Sequence, residues 1–215
     1  MYKAVIFDLD GTLLNSLGDI LFHLNRTLAH FGLPQVEYGQ AKSYIGNGAR
    51  ELVRRAIGGQ NVDKLDEILT YYKGEYANSD NSRASLYEGE EDALKRLKSA
   101  GIKLAVLTNK PHAAALKAND VFFKDFNLDC VLGQKDGAKL KPSPEPVEEI
   151  LKILQVDAKD CLLVGDGETD VLTAQNCGLA CASVLWGYRT EEELRAAGAT
   201  LFVSSFKTLE KIILS

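Results

Sequence analysis

The first apolar run of the chain, Ala4-Val5-Ile6-Phe7, opens directly into Asp8-Leu9-Asp10-Gly11-Thr12. Two carboxylates two residues apart at the end of a buried strand repel each other, and both stay ionised only beside a cation or a shared proton. Gly11 lets the backbone turn tightly and come close to a ligand. Later segments carry matching chemistry. Leu104–Leu107 ends in Thr108-Asn109, which offers a hydroxyl and backbone amides. Lys141 stands at a helix start before Pro142-Ser143-Pro144, and Leu162-Leu163-Val164 ends in the acidic run Gly165-Asp166-Gly167-Glu168-Thr169-Asp170. Each has an ordinary explanation by itself: a helix cap, a solvated lysine, an acidic first helical turn. Together, each beside an expected strand end or helix start, they compose a phosphoryl-transfer site.

The chemistry assigns expected roles. Mg²⁺ takes one or two carboxylates together with substrate phosphate and water, and Asp8, Asp166 and the backbone carbonyl at Asp10 are the expected ligands. The cation relieves the carboxylate repulsion and admits a phosphate dianion to an acidic protein. Lys141 and the Thr108 hydroxyl are expected to hold the transferring oxygens, with the amides of Leu9 and Asn109 as further donors. A carboxylate nucleophile at Asp8 divides hydrolysis into two steps through an acyl phosphate. Asp10 is then the group to protonate the leaving alkoxide and deprotonate the attacking water.

Strands Ala4–Phe7, Lys103–Leu107, Cys130–Leu132, Cys161–Val164, Cys181–Leu185 and Leu201–Val203 are expected to position these groups. Their unbroken hydrophobicity suits parallel strands covered on both faces. Amphipathic stripes at Ala93, Leu94, Leu97, Ala100 and at Val147, Ile150, Leu151, Leu154 fall between them. The fold class is therefore α/β, a doubly wound, mostly parallel sheet of Rossmann-like type with its site at the carboxyl strand ends.

Residues 16–83 break the alternation. Helical stripes run through Leu17–Phe31, Leu52–Ile57 and Leu65–Tyr76, and Asn78–Ser82 reads as a polar linker. The expected division is residues 1–15 and 84–215 as the catalytic core and 16–83 as an inserted α-helical cap above the site.

Composition bounds the partners. A net charge of −5 with no basic block argues against nucleic acid. No run approaches the roughly 20 apolar residues of a membrane span, and Asp8 arrives too early for a signal-peptide core. Four cysteines without a C-x-x-C pair read as reduced thiols of a cytoplasmic protein, not a zinc site. The expected partner is a small phosphorylated metabolite; the sequence fixes no oligomeric state.

Asp8-x-Asp10-Gly11-Thr12, Thr108-Asn109, Lys141-Pro142 and Gly165-Asp166-x-x-x-Asp170 resemble, in order and along nearly the whole chain, the motifs of the haloacid dehalogenase-like hydrolase superfamily. The resemblance implies Asp8 as nucleophile, Asp10 as general acid/base, Thr108 and Lys141 as phosphate ligands, Asp8, Asp10 (through its carbonyl) and Asp166 as Mg²⁺ ligands, and Asp170 behind them. The dehalogenases lack the second aspartate of the first motif, so Asp10 points to a phosphatase. Ile45-Gly46-Asn47-Gly48-Ala49-Arg50-Glu51-Leu52 is similar to a segment of the phosphoglycolate phosphatases, which implies 2-phosphoglycolate as substrate and its carboxylate against the helix-start amides and Arg50. Two residues depart from those enzymes. Gly167 replaces a frequent serine and removes a hydroxyl beside Asp166, and Asn15 replaces a frequent aspartate. A phosphosugar mutase or sugar-phosphate phosphatase is the nearest alternative. A phospho-accepting signalling module is another, although the chain is long for one.

Overall fold

The computed structural model describes residues 1–59 and 61–215. In chain order the elements are β1 (Ala4–Phe7), β2 (Leu14–Asn15), α1 (Leu17–His30), α2 (Tyr38–Tyr44), α3 (Gly48–Ala56), α4 (Leu65–Ala77), β3 (Ser85–Leu86), α5 (Glu90–Ser99), β4 (Lys103–Pro111), α6 (His112–Ala118), β5 (Cys130–Gln134), α7 (Glu145–Leu154), β6 (Cys161–Gly165), α8 (Glu168–Cys177), β7 (Ala180–Val184), α9 (Glu191–Ala196), β8 (Phe202–Val203) and α10 (Phe206–Leu214).

Among the described residues the main sheet runs β5-β4-β1-β6-β7-β8, and every pair in it is parallel. The strands lack polar alternation because each of their faces has its own core. Val5 and Phe7 of β1, Leu104 and Val106 of β4, and Leu162 and Val164 of β6 join one apolar cluster with α5 and α10. Ala4, Ile6, Ala105, Leu107, Cys161 and Leu163 point the other way, against α7 and Ala174 of α8. Successive strands leave β1 first toward β4 and β5, then toward β6, β7 and β8. The connections therefore diverge on either side of β1, which places a crevice at its carboxyl end.

Helices α1 to α4 build a separate apolar cluster around Leu24, Leu28, Val53, Ile68 and Tyr72. The short helix α2 carries no stripe, since Ala41 is its one buried residue; at its start Gln40 Oε1 accepts from Glu37 N at 3.4 Å. That is why periodicity did not reveal it. Nor did it reveal the two-residue antiparallel pair β2–β3, which joins the two chain crossings between sheet and helices. The polar Asn78–Ser82 stretch alternates between exposed and buried residues. Ser79 and Asn81 are buried, and Ser79 Oγ donates to Asp19 Oδ2 at 2.8 Å. No helix among the described residues is long and apolar enough to cross a membrane.

Candidate active site

Asp8 is the first residue past β1, and its amide donates to Val164 O at 2.8 Å, so the neighbouring strand β6 fixes its height. Lys141 reaches it from the loop before α7, with Nζ 2.8 Å from Asp8 Oδ1 and 2.6 Å from Asp170 Oδ1. Asp170 stands in the first turn of α8, where its Oδ2 accepts from Gly167 N at 3.0 Å. One ammonium thus joins the end of β1 to the start of α8. Burial opposes the charge on Lys141, but Asp170 and Asp8 outweigh it and hold the ammonium above its ordinary range.

Asp166 follows β6, and its carboxylate lies in a slot of backbone. A Cβ on Gly187 would stand 2.2 Å from Asp166 Cβ, and one on Gly11 2.3 Å from Asp166 Oδ2. Thr12 Oγ1 donates to Oδ1 at 3.1 Å and Tyr188 N to Oδ2 at 2.7 Å. The hydroxyl that Gly167 lacks is therefore not needed to orient this carboxylate; Thr12 and the Tyr188 amide do so. Burial, reinforced by the charges of Asp8 and Asp170, pushes Asp166 up to about 8. Burial likewise raises Asp8 to about 7, with Lys141 opposing and Asp170 adding to the rise.

Oxygens of Asp8, Asp166 and Asp170 lie within 4.8 Å of one another. Lys141 is shared between Asp8 and Asp170, whereas Asp166 accepts from two neutral donors and has no cationic partner, so its charge is under-compensated. The Asp10 carbonyl accepts none of the described backbone hydrogen bonds of its turn. Two carboxylates raised chiefly by burial, with neighbouring carboxylates adding to the rise, and a carbonyl outside those hydrogen bonds form a hard-oxygen donor set that fits a divalent cation.

Asp10 is steered by its neighbours. Ser16 Oγ at 2.5 Å and Lys110 Nζ at 2.7 Å both donate to Oδ1, leaving Oδ2 without a described protein donor. Ser16 in turn meets the Tyr188 hydroxyl, which accepts from Ser16 N at 3.0 Å. Beyond Leu107 the register of β4 against β5 shifts, and Thr108, Asn109 and Lys110 lie in that irregular stretch. Thr108 and Asn109 line the cleft beside Asp8. Asn109 acts as a staple: Nδ2 donates to Gly46 O at 2.9 Å and Lys141 O at 3.1 Å, and Oδ1 accepts from Lys141 N at 2.9 Å. The Leu9 side chain is buried in the core, so only its backbone is available to a ligand.

The cleft between sheet and helices encloses about 450 Å³, counting its open mouth. Ile20, Ile45, Leu52, Tyr72 and Tyr76 wall it on the helical side, with Gly46, Gly48 and Ala49 at the start of α3. Arg50 does not reach it, contrary to the sequence expectation. Ala49, Leu52 and Val53 hold the inward face of α3, so Arg50 turns outward, exposed, to Asp66 at 2.5 Å. Sequence reasoning also missed Lys110, Ser16, Tyr188 and Arg189. Lys110 was adjacent to Thr108-Asn109 and could have been flagged; Tyr188 and Arg189 arrive from a distant loop with no local signal. Arg189 donates to Glu168, to Lys42 O at 2.7 Å and to Ile45 O at 2.8 Å, clasping the end of α2.

A family model of haloacid dehalogenase-like hydrolases matches residues 5–184, and the chain belongs to that family. Over 217 residues it is 35% identical to a phosphoglycolate phosphatase of Rhodospirillum rubrum, covering 97% of this chain and 90% of that one. It is 33% identical to a plasmid-borne phosphoglycolate phosphatase of Cupriavidus necator, covering 98% and 92%. A solved structure from Lactobacillus delbrueckii subsp. bulgaricus, provisionally assigned as a phosphoglycolate phosphatase, superposes with a TM-score of 0.91 at 29% identity, covering 99% of this chain and 98% of that one. Within its family the chain is a phosphatase.

Proposed function

We propose that the enzyme hydrolyses 2-phosphoglycolate to glycolate and phosphate, with Mg²⁺, through an aspartyl phosphate on Asp8. The observation that carries the phosphoryl-transfer reading is the placement of Asp8 between the Lys141 ammonium and the under-compensated Asp166 carboxylate, at the floor of a small cleft. The substrate reading is supported by the relatives named above and by the small size of the cleft.

Asp8, Asp166 and the Asp10 carbonyl would hold the metal, which supplies charge neutralisation for nucleophile and phosphate. In the first step an Asp8 oxygen bonds to phosphorus, the bond from phosphorus to the substrate oxygen breaks, and Asp10 gives its proton to the departing alkoxide. In the second, water attacks the acyl phosphate, Asp10 takes its proton, and phosphate leaves with Asp8 restored. Lys141 and the Thr108 hydroxyl bind the phosphoryl oxygens as charge develops on them. Ser16 and Lys110 keep Asp10 Oδ1 occupied, so Oδ2 carries the proton. Asp170 and Gly167 hold Lys141 and the start of α8 in register. Residues 16–83 act in this reading as the cap that excludes water.

The test is phosphate release from 2-phosphoglycolate beside a panel of sugar phosphates and nucleotides, with Mg²⁺ and with EDTA. Mg²⁺-dependent release favouring 2-phosphoglycolate, lost in Asp8→Asn, is the expected result. Broad or sugar-selective release removes the substrate assignment. Isomerisation without release, or a long-lived phosphoprotein, replaces hydrolysis by a mutase or a signalling role.

A further inference from the structure

We infer that Lys110 reads a second negative charge on the substrate, the carboxylate of a small phospho-carboxylate, in addition to orienting Asp10. The inference rests on the phosphatase reading above and assigns the residue that selects its substrate class.

Among the residues that line the cleft, Lys110 and Lys141 are the cations. Lys141 is committed at the phosphate end, between Asp8 and Asp170. Lys110 contacts Asp10 instead, at 2.7 Å, with its side chain 1% exposed. An ammonium has three N–H donors. One goes to Asp10 Oδ1 and one to the Tyr76 hydroxyl, and the third has no described protein acceptor. The Tyr76 ring also lies 4.4 Å from Nζ, so α4 pins the ammonium from above.

The rest of this side of the cleft is poor in charge-compensating groups. Ile20, Ile45, Leu52 and Tyr72 supply apolar surface, and Arg50 faces outward to Asp66. A carboxylate entering such a pocket beside Asp10 would be an unpaired buried anion, which is strongly disfavoured. Lys110 offers it a buried positive charge with a donor to spare. The amides at the start of α3 add a partial positive charge on the opposite wall. A neutral leaving group of the same length gains nothing from that ammonium. Lys110 is therefore a specificity-determining residue for the non-phosphate end of the substrate.

The test compares kcat/KM for 2-phosphoglycolate and ethyl phosphate, with Mg²⁺, in the wild type, Lys110→Met, Lys110→Gln and Tyr76→Phe. Both Lys110 variants lose activity on both substrates, because Asp10 is less well held. The expected signature is a further loss on 2-phosphoglycolate of about 10- to 100-fold, carried mostly by KM. Lys110→Gln keeps a donor toward Asp10 and Tyr76 but not the charge, so it separates charge recognition from positioning and serves if Lys110→Met does not fold. Tyr76→Phe keeps the wild-type substrate ratio. Equal losses on the two substrates in a folded Lys110 variant would overturn the inference and leave Lys110 as a positioning residue only. A wild type that does not prefer 2-phosphoglycolate to ethyl phosphate would overturn the substrate reading itself.

Discussion

Replacing Asp166 by Asn should stabilise the metal-free protein at neutral pH while abolishing its response to Mg²⁺. Asp166 is buried beside Asp8 and Asp170, and its carboxyl is raised from about 3.8 to about 8. For an acid raised on folding, the unfolded chain gives up its proton first. The resulting destabilisation is absent below about pH 4, grows as the pH rises, and levels off above about pH 8. At about 1.4 kcal/mol per pH unit, the cost is about 4 kcal/mol at pH 7 and less than half of that at pH 5. An asparagine can accept from Tyr188 N through its oxygen and donate to Thr12 Oγ1 through its amide, so both hydrogen bonds of Asp166 have a counterpart. The assay is thermal unfolding in EDTA at pH 5, 6, 7 and 8 for wild type and Asp166→Asn. A chain of this length moves by roughly 2–4 °C per kcal/mol. The variant should therefore gain on the wild type by about 5–10 °C between pH 5 and pH 7, and Mg²⁺ should remove that difference by stabilising the wild type alone. Parallel curves across this range, or a variant that Mg²⁺ still stabilises, would refute the reasoning.

Two further outcomes follow from groups outside the phosphoryl site. Arg189→Met removes the donors to Lys42 O and Ile45 O, so amide exchange over residues 42–48 should quicken at least tenfold and KM should rise; unchanged protection there would show that the clasp does not hold the segment. Glu90 is fully buried with Oε1 unpartnered, and burial raises its carboxyl to about 9. By the same sign, its cost grows from about pH 4.5 upward, so Glu90→Gln should add about 3 kcal/mol at pH 7 and almost nothing at pH 4, read by urea unfolding at both pH values.

The legible parts of the fold were those with a repeated local signal. Leu17, Leu24 and Leu28 recur at helical spacing because one side of α1 faces an apolar core, and Val5-Ile6-Phe7 runs unbroken because β1 is covered on both sides. Helix α2 buries one alanine and β2–β3 pairs two residues with two, so neither leaves a periodic trace. Asp8, Asp10, Thr108, Asn109, Lys141 and Asp166 could be picked out because each stands at the end of a readable strand or the start of a readable helix.

Chain order alone thus determined that acids, a hydroxyl and a lysine would gather at one sheet edge, because parallel strands deliver their carboxyl ends to the same side. Which partners those groups take was decided only by tertiary structure. Lys141 could not be known to bridge Asp8 and Asp170, nor Tyr188 to hold both Asp166 and Ser16, because those pairs are separated by 22 to 172 positions along the chain. Arg50 makes the same point in reverse. Its neighbours in sequence suggested a ligand, but the rotation of α3 about its own axis, set by Ala49, Leu52 and Val53 packing inward, turned it to solvent and left Lys110 as the cation beside Asp10.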